Sequence, residues 1–248
     1  MTEEKKHNGI RYLLIACMLL AFAVSVGWYM NRNAQVTNIS VHGNRITEME
    51  RIVEVSSIQI GKPAEEIDFL QVIVQVEKLP WVERAFVDLT PAGRLRIRVE
   101  EEKPLAILID RGRSALVSGN GLILPVILEE KMDVPILYGF SMNRVPDHEA
   151  APDTLNTMDF LTVRNFLQTA ELYPGLYAMI SEVMFTTRDG VVALSDESAV
   201  RLTFGHGPFD DKMRNWKAFQ KKVVSSSGMN QFWSLDFRYR GQIVANER

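Results

Sequence analysis

The sequence predicts an α+β protein: a transmembrane helix, a β-α-α-β-β domain, then a mostly antiparallel β domain with two helices and a C-terminal strand at a sheet edge. Three observations predict it. Tyr12 to Met30 is a run of nineteen residues without a charge. Between Val36 and Glu101 the hydrophobic pattern switches from strand to helix and back. From Ala106 onward, short strand-like stretches outnumber helical ones. The expected boundaries are 1–11 for a cytoplasmic tail, 12–30 for the span, 34–104 for the first domain and 105–248 for the second.

A run of roughly 20 apolar residues crosses the ~30 Å hydrocarbon core at about 1.5 Å per residue. Lys5, Lys6 and Arg11 precede the run, and only Arg32 closely follows it. That bias leaves the short tail in the cytoplasm and the bulk of the chain on the far side. Trp28 and Tyr29 fall at the outer end, where amphipathic rings favour the headgroup zone. The alternative is a cleaved signal, because Ala21-Phe22-Ala23 has a small-x-small pattern. The apolar stretch runs on through Val24, Val26, Trp28 and Tyr29, beyond the ~7–15 residues of a signal core. The expectation is an uncleaved, single-pass anchor.

Lys and Arg number 28 against 31 Asp and Glu, a net charge of −3, so no basic surface argues for nucleic acid. The single cysteine, Cys17, lies inside the apolar run. The chain outside the run therefore has no disulfide framework.

Val36 to His42 reads as a strand with Val36, Ile39 and Val41 as its apolar positions, and Gly43-Asn44 turns the chain. Thr47-x-x-Glu50 has the form of a capping box. Ile46, Met49, Ile52 and Val53 follow at helical spacing as far as Ser57. After Gly61-Lys62-Pro63, a second helix over Ile67 to Lys78 is expected to bury Leu70, Ile73 and Val74. Leu79-Pro80 stops it. Arg84 to Leu89 and Arg94 to Glu101 then form a hairpin around Pro91-Ala92-Gly93. In RLRIRVEE, Leu95, Ile97 and Val99 alternate with Arg94, Arg96 and Arg98, the mark of a half-solvated strand.

Further along, Ala115 to Pro125 reads as two short strands around a polar turn, and Val134 to Gly139 as another. Asn156 to Leu172 is a helix with Phe160, Val163, Leu167 and Ala170 on one face, ended by Tyr173-Pro174-Gly175. Val183 to Phe185, Gly190 to Leu194 and Ala199 to Phe204 read as an antiparallel meander. Asp210 is expected to cap a last helix facing inward through Met213, Trp216, Phe219 and Val223. Phe232 to Val244 is the terminal strand segment.

With these residues in this order, the chain resembles the FtsQ/DivIB bacterial cell-division family. VTNISVHGNRIT and LPWVERAFVDLTPAGRLRIRVEEEKPLAIL resemble its POTRA domain, placed directly after an anchor. Ser234-Leu235-Asp236-Phe237-Arg238-Tyr239-Arg240 resembles its Asp-Leu-Arg-Tyr segment. The likeness covers nearly the whole chain.

Candidate chemistry is sparse. His7, His42, His148 and His206 have no partner at metal-ligand spacing. Asp210-Asp211 reads as a helix-start dipole partner, and Glu100-Glu101-Glu102 as a solvated strand end. Ser225-Ser226-Ser227-Gly228 lacks a nucleophile-elbow pattern, and Gly205-His206-Gly207-Pro208 lacks the Gly-Lys-Ser/Thr ending of a phosphate loop. The sequence therefore predicts no catalytic residue, cofactor, metal or small-molecule substrate.

Binding is the stronger expectation. A terminal strand in an open sheet leaves backbone groups free to accept an extended segment. The partner-binding residues expected are Phe237, Arg238, Tyr239, Arg240, Gln242 and Val244, with some of the apolar ones facing the core instead. The resemblance implies a non-catalytic scaffold of the division machinery in the bacterial inner membrane at the septum, its C-terminal part extracytoplasmic. It implies FtsB-like and FtsL-like single-pass partners at the C-terminal sheet edge, and contacts with other membrane proteins of the divisome. A recruitment surface is expected on the first domain at Val41, Gly43, Asn44, Arg96 and Arg98. The alternatives are a POTRA-bearing export or envelope-assembly factor, for which the tail is too short to build a barrel, and a membrane-tethered cell-wall hydrolase.

Overall fold

The computed structural model describes residues 15–22, 24–25, 35–127, 132–146, 152–196, 198–225 and 228–248. Residues 15–22 and 24–25 are helical, and the rest of the expected Tyr12–Met30 span and the tail lie outside the described residues. Among the described residues no helix is long and apolar enough to cross a membrane. The chain divides into two compact units, Met1–Glu101 and Glu102–Arg248.

The first unit contains β1 (Asn38–His42), α1 (Met49–Ser56), a 3-10 turn (Ala64–Glu66), α2 (Phe69–Val76), β2 (Val82–Leu89) and β3 (Arg94–Glu101). The strand-helix-helix-strand-strand order is the expected one. Its sheet runs β1-β3-β2, with β1 parallel to β3 and β2 antiparallel to it. The hairpin forms because Gly93, at φ +76°, closes the Pro91-Ala92 turn with its N–H on the Thr90 carbonyl at 2.9 Å. Leu95, Ile97 and Val99 are buried and Arg94, Arg96 and Arg98 exposed, as the alternation requires.

Two local expectations fail. Thr47 does not cap α1. The helix starts at Met49 without a side-chain cap, and the Arg45, Ile46 and Thr47 N–H groups donate instead to the Glu101 carboxylate at 2.8–3.1 Å. Nor do Leu70 and Val74 face the core; they are 76% and 53% exposed. The buried stripe is Val72 and Val76, with Phe69 and Ile73 packed beside it. FLQVIVQV is apolar on nearly every side, so its period does not fix a face. The Asp68 cap, which accepts from the Gln71 N–H at 3.1 Å, sets the start.

The second unit contains β4 (Pro104–Asp110), β5 (Arg113–Ser118), β6 (Ile123–Leu124), β7 (Ile136–Tyr138), α3 (Met158–Glu171), α4 (Pro174–Tyr177), β8 (Ile180–Thr186), β9 (Gly190–Ser195), β10 (Arg201–Gly205), α5 (Asp210–Phe219), β11 (Phe232–Asp236) and β12 (Val244–Glu247). One nine-stranded sheet runs β12-β11-β10-β9-β8-β7-β4-β5-β6. The meander β8-β9-β10 is antiparallel as expected. The sheet as a whole is mixed, because β4–β7, β7–β8 and β10–β11 are parallel. Parallel neighbours need a crossover: α3 and α4 supply it between β7 and β8, α5 between β10 and β11, and β5 with β6 between β4 and β7. Phe160, Val163, Phe166, Leu167, Met213 and Trp216 bury into one core with Leu137, Val183, Val191, Leu202, Phe204 and Leu235. Thr157 caps α3 through the Phe160 N–H at 3.2 Å. Asp210 is not the cap of α5; it lies in the first turn with Asp211, where a carboxylate favours the helix dipole.

The terminal segment also departs from expectation. Phe232 to Val244 is not one strand. β11 ends at Asp236, Gly241 takes φ +72° in the connection, and β12 returns antiparallel as the outermost strand.

Candidate functional site

Only Val244 of the six expected partner-binding residues lies on the edge strand, and it is exposed. Phe237 is 2% exposed, its ring stacked on Phe204 at 4.6 Å, so its side chain anchors the corner from inside, at the lining of the groove described below. Gln242 sits in the β11–β12 connection, outside the edge ladder. Arg238, Tyr239 and Arg240 are exposed in the same connection.

All four β12 residues are exposed. Arg248 donates its N–H to the Gln231 carbonyl at 2.8 Å. Strand alternation then turns the backbone of Val244 and Asn246 toward β11, and that of Ala245 and Glu247 away from it. Among the described residues no strand lies on that outer side. Inward, Asn246 Nδ2 donates to Ser234 Oγ at 2.8 Å. Trp233, 62% exposed on β11, carries the Arg248 guanidinium 4.5 Å above its ring.

Beside this edge lies a groove of about 750 Å³, formed where the β8–β9 turn, the β10–α5 loop and the β11–β12 connection converge. Arg188, His206, Lys212, Tyr239 and Arg240 line it. Arg238 braces the corner: its guanidinium donates to Asp236 at 2.6 Å and to Asp189 at 3.0 Å. Asp189 also holds Arg201 at 3.0 Å. Burial opposes the Asp236 charge, but hydrogen bonds from Arg238 and the charges of Arg238 and Lys212 outweigh it and keep its pKa low. Lys212 donates to the Phe204 carbonyl at 2.6 Å and to that of His206; partial burial lowers its pKa and nearby Asp236 opposes the shift. Arg188 and Arg240 make no ion pair among the described residues. The groove thus presents two arginines without an ion pair among the described residues, with Asp189 and Asp211 also in its lining, next to an exposed tyrosine and a row of outward backbone groups. Sequence reading missed Arg188, Asp189 and Lys212 because the β8–β9 turn and the first turn of α5, distant in sequence, bring them together. The exposed Trp233 was missed because it sits between two core residues, Phe232 and Leu235.

In the first unit, Arg96 and Arg98 stand exposed on β3, with the Arg98 guanidinium 4.8 Å over the Phe86 ring. Val41 is half-buried against the core. Gly43 takes φ +86°, where a Cβ would meet the Val99 carbonyl at 2.1 Å, so this glycine is required by the fold. Asn44 closes the turn onto the Thr47 carbonyl at 3.0 Å. The arginines share a surface; Val41 packs within β1 opposite Ile97, and Gly43 and Asn44 shape the turn after it.

A second cavity of about 400 Å³ lies beside α4, between Tyr177, Glu171, Asp133 and Asp196. Burial, with the charges of Glu171 and Asp133, pushes the Tyr177 hydroxyl up to about 12. Among the described residues no group of three or more His, Cys, Asp or Glu is arranged to hold a metal ion.

Comparison with known proteins accounts for both units. Residues 34–102 match the family described as POTRA domain, FtsQ-type, and residues 103–246 match FtsQ/DivIB, C-terminal related. Cell division protein FtsQ of Rhodothermus marinus is 28% identical, covering 98% of this chain and 90% of that protein. Cell division protein FtsQ of Salinibacter ruber is 24% identical over 90% of this chain and 86% of its own. That of Geobacter sp. strain M21 is 20% identical over 85% and 78%. The chain belongs to the FtsQ/DivIB family of cell division proteins.

Proposed function

We propose that this protein is a non-catalytic, membrane-anchored scaffold of the divisome. It holds FtsB-like and FtsL-like single-pass partners at its C-terminal sheet edge and links early division proteins to septal peptidoglycan synthesis. Tyr12–Met30 anchors it in the inner membrane with the two units outside the cytoplasm. The observation that carries the reading is β12, an exposed outermost strand beside a groove lined by Arg188 and Arg240. An extended partner segment adds to the outward backbone of Ala245 and Glu247. Acidic side chains on that segment meet Arg188 and Arg240, while Tyr239 and Trp233 supply aromatic contact. Confinement of both partners to one membrane raises their effective concentration.

Proline distinguishes this mechanism from side-chain recognition. Ala245→Pro removes an N–H that faces away from β11, so the domain stays folded while strand addition is lost. Capture of the FtsB-like partner by the full chain from dividing cells should fall at least tenfold, with an unchanged circular dichroism spectrum. Tyr239→Ala should weaken capture by roughly 1 kcal/mol or more. A folded Ala245→Pro protein that captures its partner normally would remove the sheet-edge mechanism. Turnover of peptidoglycan by the purified protein, abolished by a single carboxylate or hydroxyl change, would remove the scaffold.

A further inference from the structure

Ile58 and Ile60 flank Gln59 in the turn after α1 and have opposite fates. Ile58 is buried in the core of the first unit; Ile60 is 69% exposed at the turn's apex. The turn is held firmly. Ser57 and Gly61 take φ of 53° and 90°, and Lys62 donates its N–H to the Gln59 carbonyl at 3.2 Å. The Gly61 N–H reaches the Val36 carbonyl at 2.7 Å, the Val36 N–H reaches the Lys62 carbonyl at 3.0 Å, and Pro63 bridges Gln35. Ile60 therefore sits beside the point where the chain enters this unit.

The β2–β3 turn is clamped to the same point. Thr37 donates its N–H to the Gly93 carbonyl at 2.7 Å and its hydroxyl to the Ala92 carbonyl at 3.2 Å. Pro91, Ala92 and Arg94 are exposed there. One end of the unit thus gathers Ile60, Pro91 and Ala92, with Lys62 and Arg94 beside them. Five peptide steps separate Met30, the last residue of the charge-free run, from Gln35. Fully extended they reach about 18 Å, while the headgroup layer beyond the hydrocarbon is roughly 5–8 Å thick.

We propose that the Ile60 turn, with Pro91 and Ala92 alongside, docks into the headgroup–acyl boundary of the bilayer. This gives the first unit a lipid contact of its own. The proposal rests on the anchor reading of Tyr12–Met30. A single isoleucine adds little affinity for a free protein, but a tether this short keeps it at the surface, where a weak contact suffices to fix orientation.

The test uses the full chain in phosphatidylethanolamine–phosphatidylglycerol vesicles carrying nitroxide-labelled lipids, with a fluorophore on one cysteine at a time. Native Cys17 reports the anchor. Gln59→Cys, in a Cys17→Ser background, reports the turn, and His42→Cys in the same background reports the far end of β1. The expected result is quenching of the Cys17 label by nitroxides in the acyl chains. The Gln59 label should be quenched by shallow nitroxides severalfold more than the His42 label, and adding Ile60→Asp should abolish the excess. Quenching at Cys17 with equal signals at positions 59 and 42 would overturn the lipid contact and leave the anchor standing. So would an excess at position 59 that survives Ile60→Asp. A Cys17 label untouched by lipid nitroxides would overturn the anchor, and the proposal with it.

Discussion

Glu101 shows how much one side chain can organise. Its carboxylate accepts from three consecutive N–H groups, those of residues 45–47, across the gap between β1 and α1. Glu101→Ala should lower the stability of the first unit by about 2 kcal/mol, because polar groups lose their partners. Glu100→Ala, which removes only an exposed pairing with Arg84, should cost about 0.5 kcal/mol or less. Urea titration of the two variants checks the difference. Asp110 makes a pH-dependent counterpart in the second unit. Its carboxylate accepts from the Met142 N–H at 3.1 Å and from Arg113 at 2.6 Å; these bonds hold its pKa below the usual carboxylate range against the cost of burial. A lowered folded pKa stabilises above the unfolded value of about 3.9 and stops doing so as pH falls through the folded one. Asp110→Asn should therefore melt below the parent protein at about pH 7, and the gap should close as the pH drops below ~3.9. A gap that is constant with pH would show that the charge contributes nothing.

At the scale of elements, α2 separates what pattern can decide from what it cannot. Val76→Ala should cost about 2 kcal/mol through the cavity it leaves, whereas Leu70→Ala should stay within about 0.5 kcal/mol. Thermal melts that ranked them the other way would restore the face suggested by sequence. β3 was legible because its arginines alternate strictly with aliphatics. α2 was not, since apolar residues surround it. The β8-β9-β10 meander was legible through its turns, but the parallel β4–β7 pairing skips two strands and the parallel β7–β8 pairing spans more than forty residues, so neither leaves a local mark. The candidate edge was only half legible. The C-terminal segment was located, yet Gly241 splits it, and the groove depends on Arg188 and Lys212, which no spacing connects to Tyr239. Phe237 read as a contact residue because it falls in the terminal segment, where sequence does not say which apolar residues face the core; the stacked Phe204 ring shows that its side chain does.

For the whole molecule, the anchor reading has a direct check. Intact-mass measurement of the membrane fraction should return a chain retaining Tyr12–Met30; a mature N-terminus near Val24 would replace the anchor with a cleaved signal. If the anchor holds, a pull arising from the membrane enters the first unit at Gln35 to Thr37, passes into β1 at Asn38 and leaves at Glu101. β1 and β3 are parallel neighbours, registered from Asn38 opposite Arg94 to His42 opposite Arg98. Load applied to the start of one strand and the end of the other acts along both. The inter-strand hydrogen bonds are then sheared together; none is peeled off ahead of the next. The topology therefore makes this small unit a mechanical clamp, resistant along the direction in which a constricting envelope would tug on it.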